Sequence, residues 1–192
     1  MKVLVVYAHP NPGSFNHAIL ESFTKGLGHG GKTFEVIDLY AMKFNPSLEF
    51  EDYEQFICGP MPKDILDQQA KITQADGLAF VFPIWWLSCP AILKGWMDRV
   101  LFRGFAFKLT EKGPEGLLRN NKALIISTTG TPEIKLQASG RTDMMKKIFY
   151  EILTVDCGIA SVEYLFLYGL DLVDDKTRKK YLDQVYNAGK EF

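Results

Sequence analysis

The chain has 192 residues, 47% of them hydrophobic, and 22 Lys and Arg against 23 Asp and Glu leave a formal net charge of −1. This is enough apolar mass for a sizeable core in a single domain over residues 1–192, and the near-neutral balance gives no electrostatic case for nucleic acid or an anionic membrane surface. Three scattered cysteines, Cys58, Cys89 and Cys157, form no CxxC pair, which argues against a disulfide framework or a zinc site and for a reduced, cytoplasmic protein.

The opening MKVLVVYAHP is apolar, but His9, Pro10 and Asn11 end the run too early for a signal peptide. No later run approaches the roughly 18 apolar residues of a spanning helix, so no direct membrane insertion is expected. In chain order, residues 3–8 read as a first strand and residues 16–26 as a helix with Ala18, Ile19, Phe23 and Leu27 at helical spacing. A second strand is expected at 34–37, a helix at 65–75 and a third strand at 77–82. The helix at 91–101 carries Ile92, Leu93, Trp96, Met97 and Val100. Strands at 123–127 and 162–167 alternate with helices at 144–153 and 178–188.

Short continuous apolar runs suit strands covered on both faces, the habit of parallel sheets. Their alternation with helices predicts a doubly wound α/β fold of five parallel strands in the order 2-1-3-4-5, with helices on both faces. Two stretches read as irregular. Residues 39–61 are rich in aromatics, acids and proline, and residues 103–121 form a glycine-rich excursion.

In such a sheet, ligands bind at the carboxyl ends of the strands, where the strand order reverses. The segments leaving strands one, three and four therefore converge. In the first, YAHPNPGSFNHA, Ser14 suits an N-cap, and the free N–H groups of the helix start suit a phosphate. His9, Ser14 and Asn16 are hydrogen-bond candidates there, although the same pattern also serves as a plain helix cap. Neither the Walker nor the GxGxxG pattern is present.

In the second segment, Pro83 ends a strand and Pro90 starts a helix, with IWWLSC between them. Trp85 and Trp86 are each open to a core or dimer-packing role. Together, at the reversal point, they suit an aromatic wall for a flat ring. The third segment, STTGT at residues 127–131, offers hydroxyls and a glycine through which backbone amides can approach a ligand, or simply a polar turn. A flavin mononucleotide combines the features these loops match: a phosphate, a polar linker and a flat tricyclic ring.

YAHPNPGSFN, DLYAMKFNP, FPIWWLSCPAILKGWMDRVL, GFAF and STTG, in this order, span most of the chain. In these stretches the protein resembles the flavodoxin-like NAD(P)H:quinone oxidoreductases, including their shorter bacterial relatives of the general stress and drug-modulator type. The resemblance implies a homodimer using FMN, or FAD, to pass a hydride equivalent from NAD(P)H to a quinone-like acceptor in a two-electron, ping-pong cycle. It places His9, Ser14, Phe15 and Asn16 at the flavin's phosphate or ribityl end. It lines the ring with Pro83, Ile84, Trp85 and Trp86, and sets Thr128, Thr129 and Gly130 at its pyrimidine side. The missing long tail favours FMN over FAD.

One departure stands out. Better-known members of the family carry a tyrosine and then a histidine near the ring, where this chain has Leu136 and Arg141. That proton-relay pair, and any catalytic residue resting on it, is therefore left unassigned. A flavodoxin-type electron carrier and a regulatory subunit of a potassium-efflux transporter are alternative readings; the near-neutral charge counts against the carrier. His17 and His29 are expected on a solvated helix face and its end. Cys89 reads as a small filler, Cys58 and Cys157 as structural, and the acidic run at 49–55 as a solvated loop.

Overall fold

Alternate residues of the first strand face opposite ways. Val3, Val5 and Tyr7 join one buried cluster, while Leu4, Val6 and Ala8 join another. A strand with apolar residues on both sides must be covered on both sides, which is why its sequence is a continuous run and not an alternation.

The computed structural model describes residues 1–50, 52–54 and 59–192. In chain order it runs β1 (Lys2–Tyr7), α1 (Phe15–His29), β2 (Thr33–Asp38), α2 (Lys63–Gln74), β3 (Gly77–Pro83) and α3 (Ala91–Val100). It continues with β4 (Phe107–Thr110), β5 (Gly113–Gly116), β6 (Lys122–Thr128), α4 (Glu133–Ala138) and α5 (Arg141–Tyr150). A π-helical turn (Glu151–Asp156), β7 (Val162–Leu167) and α6 (Asp175–Glu191) complete it. The main sheet has five strands, all parallel, in the order β2-β1-β3-β6-β7. This is the expected doubly wound topology, with the small β4–β5 ribbon outside the count.

Ile19, Phe23 and Leu27 of α1 and Val185 of α6 cover one face of the sheet. Ile65 and Ile72 of α2, Leu93 and Trp96 of α3, and Met145 and Phe149 of α5 cover the other. Trp96 is fully buried, and its indole N–H donates to Gln68 Oε1 at 3.2 Å, so its one polar atom is satisfied. On the first face α1 and α6 touch backbone to backbone. A Cβ at Gly26 would come within 2.1 Å of the Tyr186 carbonyl oxygen, and one at Gly189 within 2.3 Å of the Phe23 oxygen.

Three expectations need correcting. Residues 103–121 contain the β4–β5 hairpin, in which Phe107 pairs with Gly116 and Thr110 with Gly113. Its residues are mostly exposed, so no hydrophobic period marks it. The C-terminal helix begins at Asp175 because Asp174 caps it, accepting from the Thr177 N–H at 2.8 Å. The acidic run is not simply solvated. Asp52 forms a two-pronged pair with the buried Arg99 guanidinium, with N···O distances of 3.2 Å from both Nε and Nη2, and Arg99 also reaches Asp64 and the Asn45 carbonyl. Cys58, read as structural, lies outside the described residues.

Candidate active site

β1 neighbours β2 on one side and β3 on the other, so a crevice opens beyond its carboxyl end. Backbone bonds hold the emerging loops together: Ala8 N–H to the Val81 oxygen at 3.0 Å, Ile84 N–H to the Thr128 oxygen at 2.8 Å, and Thr129 N–H to the Leu167 oxygen at 3.0 Å.

In the first loop, Asn11 N–H lies 3.1 Å from His9 Nδ1, while Asn11 Oδ1 accepts from Gly13 N–H at 2.8 Å. If Nδ1 is assigned as the acceptor, His9 carries its proton on Nε2 as a donor. Ser14 is the N-cap, its Oγ accepting from His17 N–H at 3.3 Å. Among the described residues, the N–H groups of Phe15 and Asn16 have no acceptor, and the first turn of α1 carries no acidic side chain. Unbonded amides at the positive end of a long helix attract an anion.

Asn16 turns inward and is buried. Its Nδ2 donates to Thr128 Oγ1 at 3.0 Å, which ties the first loop to the third. His9 leans on Trp85, with ring centroids 6.0 Å apart.

The second loop answers why two tryptophans stand together. Trp85 and Ser88 exchange backbone bonds of 2.9 and 3.0 Å across a two-residue turn, with Trp86 at φ 50° and Leu87 at φ 64°. Such turns normally take Asn and Gly. Here both central residues are bulky and left-handed, a conformation that costs about 1–2 kcal/mol per residue. The turn holds Trp86 wholly clear of the chain, at 101% relative exposure.

Two adjoining cavities share Ile84, Thr129 and Gly130. The inner one, about 250 Å³, is walled by His9, Asn16, Pro83, Trp85 and Thr128, together with Leu170 and Asp171. The outer one, about 280 Å³, adds Trp86, Leu87, Leu136 and Arg141. Of the residues singled out from sequence, only Ser14 and Phe15 line neither: Ser14 serves as the cap, and Phe15 packs on the α1–α6 side of the sheet. Another cavity of about 320 Å³ lies at the opposite end of the sheet, but its Asn120 is occupied with the α2 C-terminus, donating to the Ile72 and Ala75 oxygens.

Leu170 and Asp171 were missed from sequence because only the loops leaving strands one, three and four were considered. The signal was available: the last strand borders the fourth, so its following loop must open on the same end. Gly169 at φ 65° makes the turn, and the Gly169 and Leu170 N–H groups bond the Thr131 and Thr129 oxygens. A Cβ on Gly130 would come 2.6 Å from Asp171 Oδ2, so the backbone lies bare at that wall.

Cys89 packs in the core and lines neither cavity, and burial pushes its thiol up, in keeping with a filler. Burial pushes Cys157 up to about 12, and it too stays a thiol. His17 is less solvated than expected, with its ring edge-on to Tyr7 at 5.9 Å. His29 accepts or donates at 2.7 Å to the Tyr186 hydroxyl. Among the described residues no cluster could hold a metal ion, and no helix is long and apolar enough to cross a membrane.

The fold and this crevice define a flavodoxin-like protein, and the chain belongs to the flavodoxin-like fold family, whose sequence profile matches residues 1–191. It is 37% identical over 185 residues to an uncharacterized NAD(P)H oxidoreductase of Haemophilus influenzae, covering 95% of this chain and 91% of that one. It is 34% identical over 201 residues to the mouse (Mus musculus) ribosyldihydronicotinamide dehydrogenase [quinone], covering 94% and 87%. Its structure superimposes on the NAD(P)H:quinone oxidoreductase from Methanothermobacter marburgensis with a TM-score of 0.91 at 35% identity, covering 100% of this chain and 96% of the other.

Proposed function

We infer that this protein is a flavin-dependent NAD(P)H:quinone oxidoreductase, acting through residues 1–192 as one flavin-binding unit. The observation that carries the reading is the meeting of three loops in one crevice. Unbonded amides stand at one end, and an aromatic and aliphatic wall stands at the other. The functions named for its relatives support it.

The residues present fit FMN. The amides of Phe15 and Asn16, with His9, suit its phosphate and polar linker. Pro83, Ile84, Trp85 and Trp86 suit the flat ring, and Thr128, Thr129 and Gly130 suit its polar edge. Ser14 acts one step removed, by setting the helix start. When bound, FMN supplies the two-electron relay, so that NAD(P)H, one proton and a quinone become NAD(P)⁺ and a quinol. The chain's own residues bind, orient and shield; Leu136 offers no proton, and the one proton the quinol needs besides the hydride equivalent comes from solvent through the open outer cavity.

The outer cavity serves nicotinamide and quinone in turn, which makes the cycle ping-pong. The protein acts as a homodimer, in which a partner subunit would cover the wholly exposed Trp86. The buried free thiols Cys89 and Cys157 suit a cytoplasmic setting. The test is steady-state oxidation of NADPH and NADH by the FMN-loaded protein with benzoquinone as acceptor. Parallel double-reciprocal lines are expected. Intersecting lines would remove the ping-pong order, and no turnover with either nucleotide would remove the reductase.

A further inference from the structure

Arg141 stands apart from the chain's other cavity walls. It is exposed and lines the outer cavity beside Trp86 and Leu136, and among the described residues its side chain makes no hydrogen bond, ion pair or ring contact. Its contrast is Arg99, which is held by Asp52, Asp64 and a carbonyl. The cation therefore arrives at the cavity with its full hydrogen-bonding fork unspent. Among the residues lining the two cavities the one carboxylate is Asp171, which belongs to the inner cavity, on the other side of the shared Gly130. Along the crevice the charge thus runs from negative within to positive without, between apolar faces.

We propose that Arg141 is a specificity-determining residue that selects planar aromatic acceptors carrying an anionic substituent, a carboxylate or a sulfonate. The acceptor's ring lies in the outer cavity against Leu87 and Leu136, beyond the Ile84 and Trp86 wall assigned to the flavin. The substituent meets the guanidinium, whose planar fork matches two anionic oxygens at once. Asp171 repels the reversed pose, so one charge pair both attracts and orients. The inference rests on the reductase reading for the acceptor's redox role, but the subsite itself is a matter of binding.

Two comparisons test it. Calorimetric titration with naphthoate and naphthamide, near-isosteres of which one is anionic and the other neutral and neither is reduced, reads the subsite directly. Turnover of naphthoquinone sulfonate against naphthoquinone reads it in catalysis. The wild-type protein is expected to favour the anion in both. Arg141→Gln is expected to lower the anionic-to-neutral ratio by about tenfold, the scale of one charge-assisted bond at a partly wet site. Arg141→Lys is expected to restore part of that ratio, since it keeps the charge and loses the fork.

Equal ratios in the wild type and Arg141→Gln would overturn the proposal. So would a variant that loses only its preference for NADPH over NADH, because the cation would then serve the nucleotide's phosphate. A protein that discriminates naphthoate through Arg141 yet takes up no flavin would retain the subsite and remove the reductase. One that holds flavin and reduces both quinones with ratios blind to Arg141 would do the reverse.

Discussion

Trp86 and Leu87 hold left-handed backbone angles in a tight turn while Trp86 presents its whole surface to solvent. Strain and exposure together are unfavourable for folding and are retained where they serve a site. The expected signature is a split between stability and binding. Trp86→Gly should leave the folded chain as stable or more stable, by up to about 1 kcal/mol in chemical denaturation, because glycine tolerates this φ. The same variant should weaken FMN binding by roughly tenfold, the loss of an aromatic wall. A variant that loses stability and keeps its flavin affinity would reverse this assignment.

Asn16 makes the opposite case: it is buried and bonded to Thr128 across the crevice. Asn16→Ala should cost about 1–2 kcal/mol of stability, by leaving Thr128 unpartnered, and should also loosen FMN. Unchanged FMN affinity would confine Asn16 to a structural role. Most of the crevice was legible at this scale because its residues sit in short loops bounded by Pro83, Pro90 and Gly130. For Asp171 the position of its loop after the last strand was the available signal; nothing in GLDLVDD itself marks which of its three acids joins the wall.

Among the elements, the three central strands β1, β3 and β6 were legible because burial on both faces leaves almost no polar residue to interrupt a run. The edge strands β2 and β7 were legible through shorter apolar runs, broken by Glu35 and Glu163. The β4–β5 hairpin and α4 were not: the hairpin is exposed and rich in Gly and Pro, and α4 is short, burying only Leu136. The contact between α1 and α6 was also invisible from periodicity, since it rests on the absence of side chains at Gly26 and Gly189. Gly26→Ala should therefore force the helices apart, despite alanine's better helix propensity. A loss of about 1–3 kcal/mol is expected, read as a lower thermal midpoint. A stabilised variant would show that the two helices have room to part without cost.

For the whole molecule, the crevice is formed by loops that no strand or helix fills, so a bound cofactor should act as a missing piece of structure. A ligand that binds only the folded state at a hundred times its Kd adds about 2.7 kcal/mol, and for a chain of this length that is a rise of roughly 5–10 °C in Tm. Differential scanning with and without FMN should show that shift, and Trp86→Gly should reduce it. The direct test of the central claim is the absorbance spectrum of the purified protein supplied with FMN, followed through anaerobic additions of NADPH or NADH and then benzoquinone. The yellow flavin absorption should travel with the protein, bleach on adding nicotinamide and return with the quinone. A colourless protein that takes up no flavin would contradict the account and leave the crevice as a binding site for something else.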